Sequence, residues 1–277
     1  MKRFLLIALA LISVSLSSVA TQKSYDNLGN FHGIKVQGAF GVNIIQSNEK
    51  SVVANIDDAL IDYVRVEVIN NILVISIDNV PFKYSTKAKK ENLQFTIKTP
   101  IINNINISGS ADLTFTGQFD LGMNRFALGC TGASKIRGLN IKTNSLESSI
   151  SGVSNIDMTC DVVDFEMECS GASKMNINGN ITDIELDVSG ASKITLSGAA
   201  NHFDVDCSGA SAISALNFKC DNINADCSGA SKLDIYVVKS LDIEVSGASK
   251  CSYKSDGNIL MQSEVNGASS LKKYQAQ

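Results

Sequence analysis

The chain has 277 residues, a formal charge of −4, 44% hydrophobic residues, 6% aromatics, no Trp and only two Pro. The acidic balance excludes the basic footprint that nucleic-acid binding needs. The scarcity of aromatics leaves little for the ring platforms of sugar-binding grooves. Abundant Asn, Ser, Ile, Val and Gly suit many short strands joined by tight turns.

Residues 1–20, MKRFLLIALALISVSLSSVA, read as a signal peptide. Lys2 and Arg3 give the positive end, Phe4 to Val14 the apolar run, and Ser18-Val19-Ala20 the small-residue cleavage site. The run is short for a membrane span. No later stretch is apolar and long enough to cross a bilayer, so no transmembrane segment is expected once the signal is removed. Loss of Lys2 and Arg3 takes the formal charge to about −6. The expected location is the periplasm, the outer-membrane surface or the extracellular space.

Residues 21–102 are expected to be a β-rich front segment. Ile34 to Ile45 alternates around Gly38 and Gly41, and VRVEVINNILVISID reads as a hairpin turning at Asn70-Asn71. This segment either caps a solenoid or forms its first, wider coils.

Residues 103–277 carry a repeat. SGAS-like tetrapeptides place glycines at Gly109, Gly132, Gly152, Gly171, Gly190, Gly209, Gly229, Gly247 and Gly267, at intervals of 18 to 23 residues. A period near 20 is the signature of a solenoid. With the glycine as position zero, position minus two is Ile107, Cys130, Ile150, Cys169, Val188, Cys207, Cys227, Val245 and Val265. Position plus four is Leu113, Ile136, Ile156, Met175, Ile194, Ile213, Leu233, Cys251 and Leu271. Apolar residues at minus six, minus four and minus two alternate with polar ones, which is the period of a strand. FEMEC, IELDV, FDVDC and LDIEV show it.

Each repeat therefore reads as a strand, a corner, a second strand and a weaker third strand. The third strand's inward positions include Cys160, Val162, Ile181, Phe218, Cys220 and Val238. Such units stack into an all-β, right-handed parallel β-helix of about nine coils. The Leu-x-x-Leu-x-Leu frame of leucine-rich repeats is missing.

Glycine fits the corner because it takes positive φ and lets neighbouring corners approach. The structural corner residues are Gly132, Gly152, Gly171, Gly190, Gly209, Gly229, Gly247 and Gly267. A serine stands two residues later in eight successive coils, Ser134 to Ser269, and its hydroxyl is expected to bond along the stack or to corner backbone. Cysteines interchange with Ile, Val and Leu in the inward columns, so buried thiols are expected. Lys273 falls in a column held by Ile177, Leu196 and Ile235, so stacking is expected to stop there.

FHGIKVQGAFGVNIIQ, followed by the VRVEV…LVIS hairpin and then the SGAS coils, resembles the putative auto-transporter adhesins with a head GIN domain. Gly41-Val42-Asn43 would be the counterpart of that family's Gly-Ile-Asn, with Val for Ile. The resemblance covers nearly all of the chain beyond residue 20. It implies a β-helical fold, an exported protein of the Bacteroidetes kind and an adhesive role. The sequence ends shortly after the repeats, so the membrane barrel of an auto-transporter is not expected in it.

Outward positions carry the chemistry. Position minus three is Glu168, Asp187, Asp206, Asp226, Glu244 and Glu264. Position minus five includes Glu147, Glu166, Glu185, Asp204 and Asp242, interrupted by Asn224 and Gln262. Stacked carboxylates repel and raise one another's pKa values. Three readings follow. The columns are a solvated charged face, a contact surface, or a cation site for which Glu166, Glu168, Glu185, Asp187, Asp204 and Asp206 are the metal candidates and Ca²⁺ the fitting ion. No other cofactor is expected.

The function expected is a non-enzymatic, adhesin-like or structural module binding a macromolecule of the cell envelope or host surface. The alternative is a calcium-dependent β-helix that binds or degrades polysaccharide. His32 and His202 are isolated in sequence, with His202 read as turn surface. Inter-strand loops are too short to wall a cleft, so no catalytic residue is assigned.

Overall fold

Alternating apolar and polar residues, punctuated by glycine, produce an almost wholly β chain. The computed structural model describes residues 20–85 and 92–274; apart from Ala20, residues 1–20, which the sequence leads one to expect as a signal peptide, lie outside them. The strands are β1 Ala20–Ser24, β2 Gly33–Gly38, β3 Gly41–Gln46, β4 Ser51–Asp57, β5 Val64–Ile69, β6 Ile72–Ile77 and β7 Leu93–Thr99 in the front segment. Then come β8 Asn104–Gly109, β9 Asp112–Thr116, β10 Phe119–Asp120, β11 Arg125–Gly132, β12 Lys135–Gly152, β13 Asn155–Gly171 and β14 Lys174–Val188. β15 Lys193–Cys207, β16 Ala212–Cys227, β17 Lys232–Val245, β18 Lys250–Lys254, β19 Leu260–Val265 and β20 Ser270–Lys273 complete the order.

From β8 onward every pairing is parallel and joins consecutive rungs. Cys169 lies beside Val188, Val188 beside Cys207 and Cys207 beside Cys227. The architecture is a parallel β-solenoid of about eight turns rather than nine; within residues 103–277 the nine corner glycines bound eight complete turns. The long strands β12 to β17 each run from just past one SGAS corner to the next corner. Pairing continues around the other two bends of each coil, with register shifts at Ile136–Leu139, Thr195–Ser197, Ala215–Lys219 and Cys220–Asn222.

The interior is filled by the columns expected from the alternation. Phe126, Leu146, Phe165, Ile184, Phe203, Ile223 and Leu241 are buried at minus six, and every described cysteine is buried and unpaired. Full burial of an aliphatic or aromatic side chain stabilises by roughly 1.5–3 kcal/mol, so these stacked columns dominate the solenoid's stability. Desolvation pushes the Cys160 and Cys220 thiols up to about 12. The neighbouring Cys207 and Cys251 thiols, together with burial, push the Cys227 thiol up as well.

One inward assignment is corrected: Val238 is 41% exposed, and Val237, fully buried, takes the column. The coil between Gly229 and Gly247 is the shortest, and the register slips so that Cys220 faces Val237.

The corner column behaves as a stack. Gly132 through Gly267 all have φ between +71° and +108°. The amide one residue past each glycine donates to the glycine carbonyl of the preceding rung, as in Ala210 N to Gly190 O at 2.8 Å. The serines two residues past the glycine are buried, from Ser134 to Ser249, and face inward. Ser134, Ser154, Ser173, Ser192 and Ser211 each donate a hydroxyl to the glycine carbonyl one rung back, at 3.2–3.5 Å. Ser173 and Ser192 also accept the backbone N–H of Ser154 and Ser173, at 3.1 and 3.3 Å. The serine column is thus an internal polar seam with its hydrogen-bonding groups satisfied.

The front segment joins the same ladder. β2 pairs in parallel with β8, Gly38 beside Gly109, and β3 with β9. Gly38 is therefore a tenth corner. β6 and β7 lie on the other side of β2 and β3, so the first rung in sequence is the second in space. Beyond them β5 pairs with β6, and β4 with β7 and β1, all antiparallel. Parallel stacking ends there, over a core that keeps Leu73, Ile75, Phe95 and Ile97 buried.

Candidate functional site

With apolar positions spent on the interior, recognition falls to the outward columns. Their register is direct. Glu147, Glu166, Glu185 and Asp204 are consecutive neighbours, followed by Asn224, Asp242 and Gln262. Glu168, Asp187, Asp206, Asp226, Glu244 and Glu264 form the parallel column. Rung spacing in such a stack is about 4.8 Å. The six sequence candidates Glu166, Glu168, Glu185, Asp187, Asp204 and Asp206 thus occupy a two-by-three lattice, and all six are exposed.

Two grooves run along this face. The larger, of about 920 Å³, lies between the minus-seven column (Asp164, Asp183, His202, Asn222, Ser240) and the minus-five column. Its floor is the apolar minus-six column from Phe165 to Leu241. The smaller, of about 490 Å³, lies between minus five and minus three and is walled by Glu185, Asp187, Asp204, Asp206, Asp226, Asp242 and Glu244. The minus-five carboxylates are therefore the ridge shared by both grooves. Seven rungs from Ser145 to Leu260 line the larger groove, giving it a length of about 30 Å.

The electrostatics are those of crowded like charges. Burial, followed by the charges of Asp187, Asp226 and Asp204, pushes the Asp206 carboxyl above the ordinary Asp range. Among the described residues, only Glu147 of these two columns has an ion-pair partner, Arg125. The lysines at plus three lie past the corner on the adjoining face, and of them Lys232 pairs with Asp234, not with the columns. Among the described residues no three His, Cys, Asp or Glu side chains are grouped to hold a metal ion.

The minus-seven column was not singled out in the sequence, although its polar residues recur at a fixed offset from each corner glycine. His202 lies inside β15 rather than in a turn, and its Nδ1 is 2.6 Å from Asp183 on the preceding rung. His32 precedes β2, in register with Asn103, and its Nδ1 lies 2.9 Å from Asn103 Oδ1. Gly41-Val42-Asn43 opens β3, with Val42 buried between Phe95 and Leu113 and Asn43 exposed. Its role is to build the early rungs.

Fold and site together define a β-solenoid that displays a long, acid-lined face. The family model described as "Putative auto-transporter adhesin, head GIN domain" matches residues 30–188 and 159–257, and the chain belongs to that family. A crystal structure described as a putative adhesin from Parabacteroides distasonis ATCC 8503 is similar over 92% of this chain and 97% of its own, with a TM-score of 0.66 at 18% identity. A putative adhesin from Parabacteroides merdae ATCC 43184 is similar over 92% and 96%, with a TM-score of 0.62 at 16% identity. A structure described as a putative lipid binding protein from Parabacteroides distasonis ATCC 8503 gives 92% and 97%, 0.62 and 16%. At these identities the likeness concerns the fold. No curated protein matches the chain.

Proposed function

We propose that the chain is an exported, non-enzymatic adhesin-like module and that its contact surface is the pair of acidic grooves. The occupant is an extended, cationic protein segment of the cell envelope or a host surface. One observation carries this reading: two carboxylate columns stand in register over successive rungs, flank two grooves, and have almost no cationic partners on their own chain. A solenoid face repeats its chemistry linearly, which matches a linear partner. Lys or Arg side chains along an extended strand recur about every 7 Å on one face, and carboxylates recur about every 4.8 Å along the grooves, so each such cation has a carboxylate within about one rung. Long-range attraction to such a face raises the on-rate and weakens with salt.

The test is binding of a fluorescent Lys/Arg-rich peptide and a Glu-rich control, by anisotropy at low and high salt. The basic peptide alone is expected to bind, with affinity falling as salt rises. Glu185→Gln, Asp204→Asn and Asp206→Asn combined should weaken it about tenfold or more while leaving the circular dichroism unchanged. Equal binding by the triple variant would move the contact off this face. Calcium at equal ionic strength to magnesium separates a coordinated ion from screening, since only a coordinated ion would raise the melting temperature selectively.

A further inference from the structure

The two ends of the solenoid are built differently. At the front, antiparallel strands close the parallel ladder and the inward residues are buried. At the back, among the described residues, β19 pairs only with β17 and β20 only with β18. Residues that follow the inward columns are uncovered there: Met261 is 41% and Val265 45% exposed, whereas Leu241 and Val245 one rung earlier are 1% and 0%. Leu271 is half-buried on the same rung. This end therefore presents apolar side chains together with unpaired strand edges, a surface proteins ordinarily cover.

We infer that this end is a homodimer interface, in which the last rung of one copy stacks on the last rung of a second. The rung is self-complementary about its corner. A two-fold axis through Ala268 at the corner, perpendicular to the solenoid axis, lays β19 of one copy antiparallel on β20 of the other. Positions equidistant from Ala268 then meet. Val265 at minus two faces Leu271 at plus four, both inward. Glu264 at minus three faces Lys272 at plus five, both outward. By symmetry each pair occurs twice.

Charge supports a second copy as the occupant. The outward plus-five position is Asp157, Asn176, Thr195, Ser214, Asp234 and Ser252 on the six preceding rungs and becomes Lys only at Lys272. Further forward the column holds Arg137, which is paired with Asp112; after it a positive charge returns only on the rung where it would meet the partner's Glu264. Lys273, which follows Ile235 and Tyr253 in an inward column, opposes Ser263 in this arrangement. An inward charge at an edge hinders further parallel coils, so the contact closes as a pair and does not propagate into a fibre. The antiparallel front end cannot supply the same rung, which leaves back-to-back pairing as the symmetric solution.

The experiment is sedimentation velocity over a concentration series on the chain without its signal peptide. A monomer–dimer equilibrium is expected. Glu264→Lys alone and Lys272→Glu alone should each weaken the dimer about tenfold or more by placing like charges together. The double variant Glu264→Lys/Lys272→Glu should restore it, a rescue that no loss of folding can imitate. A chain that stays monomeric at all concentrations would overturn the inference and leave another molecule or segment as the cover. A dimer indifferent to all three variants would overturn it by placing the contact elsewhere. The readout is independent of peptide binding in the grooves.

Discussion

Replacement of Gly209 by Ala tests the stacked corner directly. Gly209 has φ +71°. A Cβ there would lie 2.6 Å from the carbonyl oxygen of Gly190 and 3.0 Å from its nitrogen, both backbone atoms of the rung beneath. Holding a non-glycine residue in the left-handed region costs about 1 kcal/mol. Relieving the overlap requires the two rungs to part locally. That weakens the bonds clustered at the corner: Ser208 N to Val188 O at 2.9 Å, Ala210 N to Gly190 O at 2.8 Å and Ala212 N to Ser192 O at 2.8 Å. With each bond worth about 1 kcal/mol, the expected total is about 3–4 kcal/mol. Gly122→Ala is the control: φ is +57° and nothing lies within 4 Å of the added Cβ, so the conformational cost of about 1 kcal/mol should stand alone. Urea unfolding followed by far-ultraviolet circular dichroism measures both. If the two variants differed by less than about 0.5 kcal/mol, close stacking of the corners would be refuted.

Two further substitutions probe the seam and the face. Ser192→Ala removes the acceptor of the Ser173 amide and a donor to the Gly171 carbonyl. Leaving a buried N–H unpaired should cost about 1–3 kcal/mol in the same unfolding assay, and an unchanged midpoint would deny the seam any structural role. Asp206 has a folded-state pKa raised by burial and by Asp187, Asp226 and Asp204, so the folded chain takes up its proton more readily than the unfolded one. This group's contribution therefore improves as pH falls from neutrality through the raised value, and it levels off below the unfolded value of about 3.9. At neutral pH Asp206→Asn should stabilise by about 0.5–1 kcal/mol, the scale of like charges on adjacent strands, and should flatten that part of the pH profile. Thermal melts between pH 7 and pH 4 decide this; destabilisation by Asp206→Asn at pH 7 would contradict mutual repulsion.

The repeats were legible because each inward column tolerates only residues that fit a narrow apolar interior, and each corner only glycine. Period and alternation then fix register, strand direction and the outward columns without further information. The front segment was less legible for a physical reason. Val36, Gly38, Val42 and Ile44 occupy the same columns as Ile107, Gly109, Leu113 and Phe115, but the next corner comes 71 residues later. No periodic pattern encodes that β6 and β7 stack on the far side of β2 and β3, because that order depends on where a hairpin folds back. Val238 was misassigned because the short coil before Gly247 slips by a residue relative to its neighbours. The His202–Asp183 contact links adjacent rungs and becomes apparent only once columns are read across coils.

The inside and outside of a solenoid answer to different constraints, and that difference locates function. Inward residues are fixed by packing, and the serine seam and thiols belong with them. The outward minus-three and minus-five positions face water and accept nearly any polar residue, as Asn224, Gln262 and Ser149 show within the same columns. Solubility needs net charge, not like charges on adjacent rungs, and alternating signs would relieve the repulsion that adds to burial in raising the Asp206 pKa. The lysines on offer lie past the corner at plus three. A carboxylate ladder that sets like charges on adjacent rungs, flanks two grooves and has its plus-three lysines past the corner is therefore better suited to meeting a partner's cations than to holding the fold together.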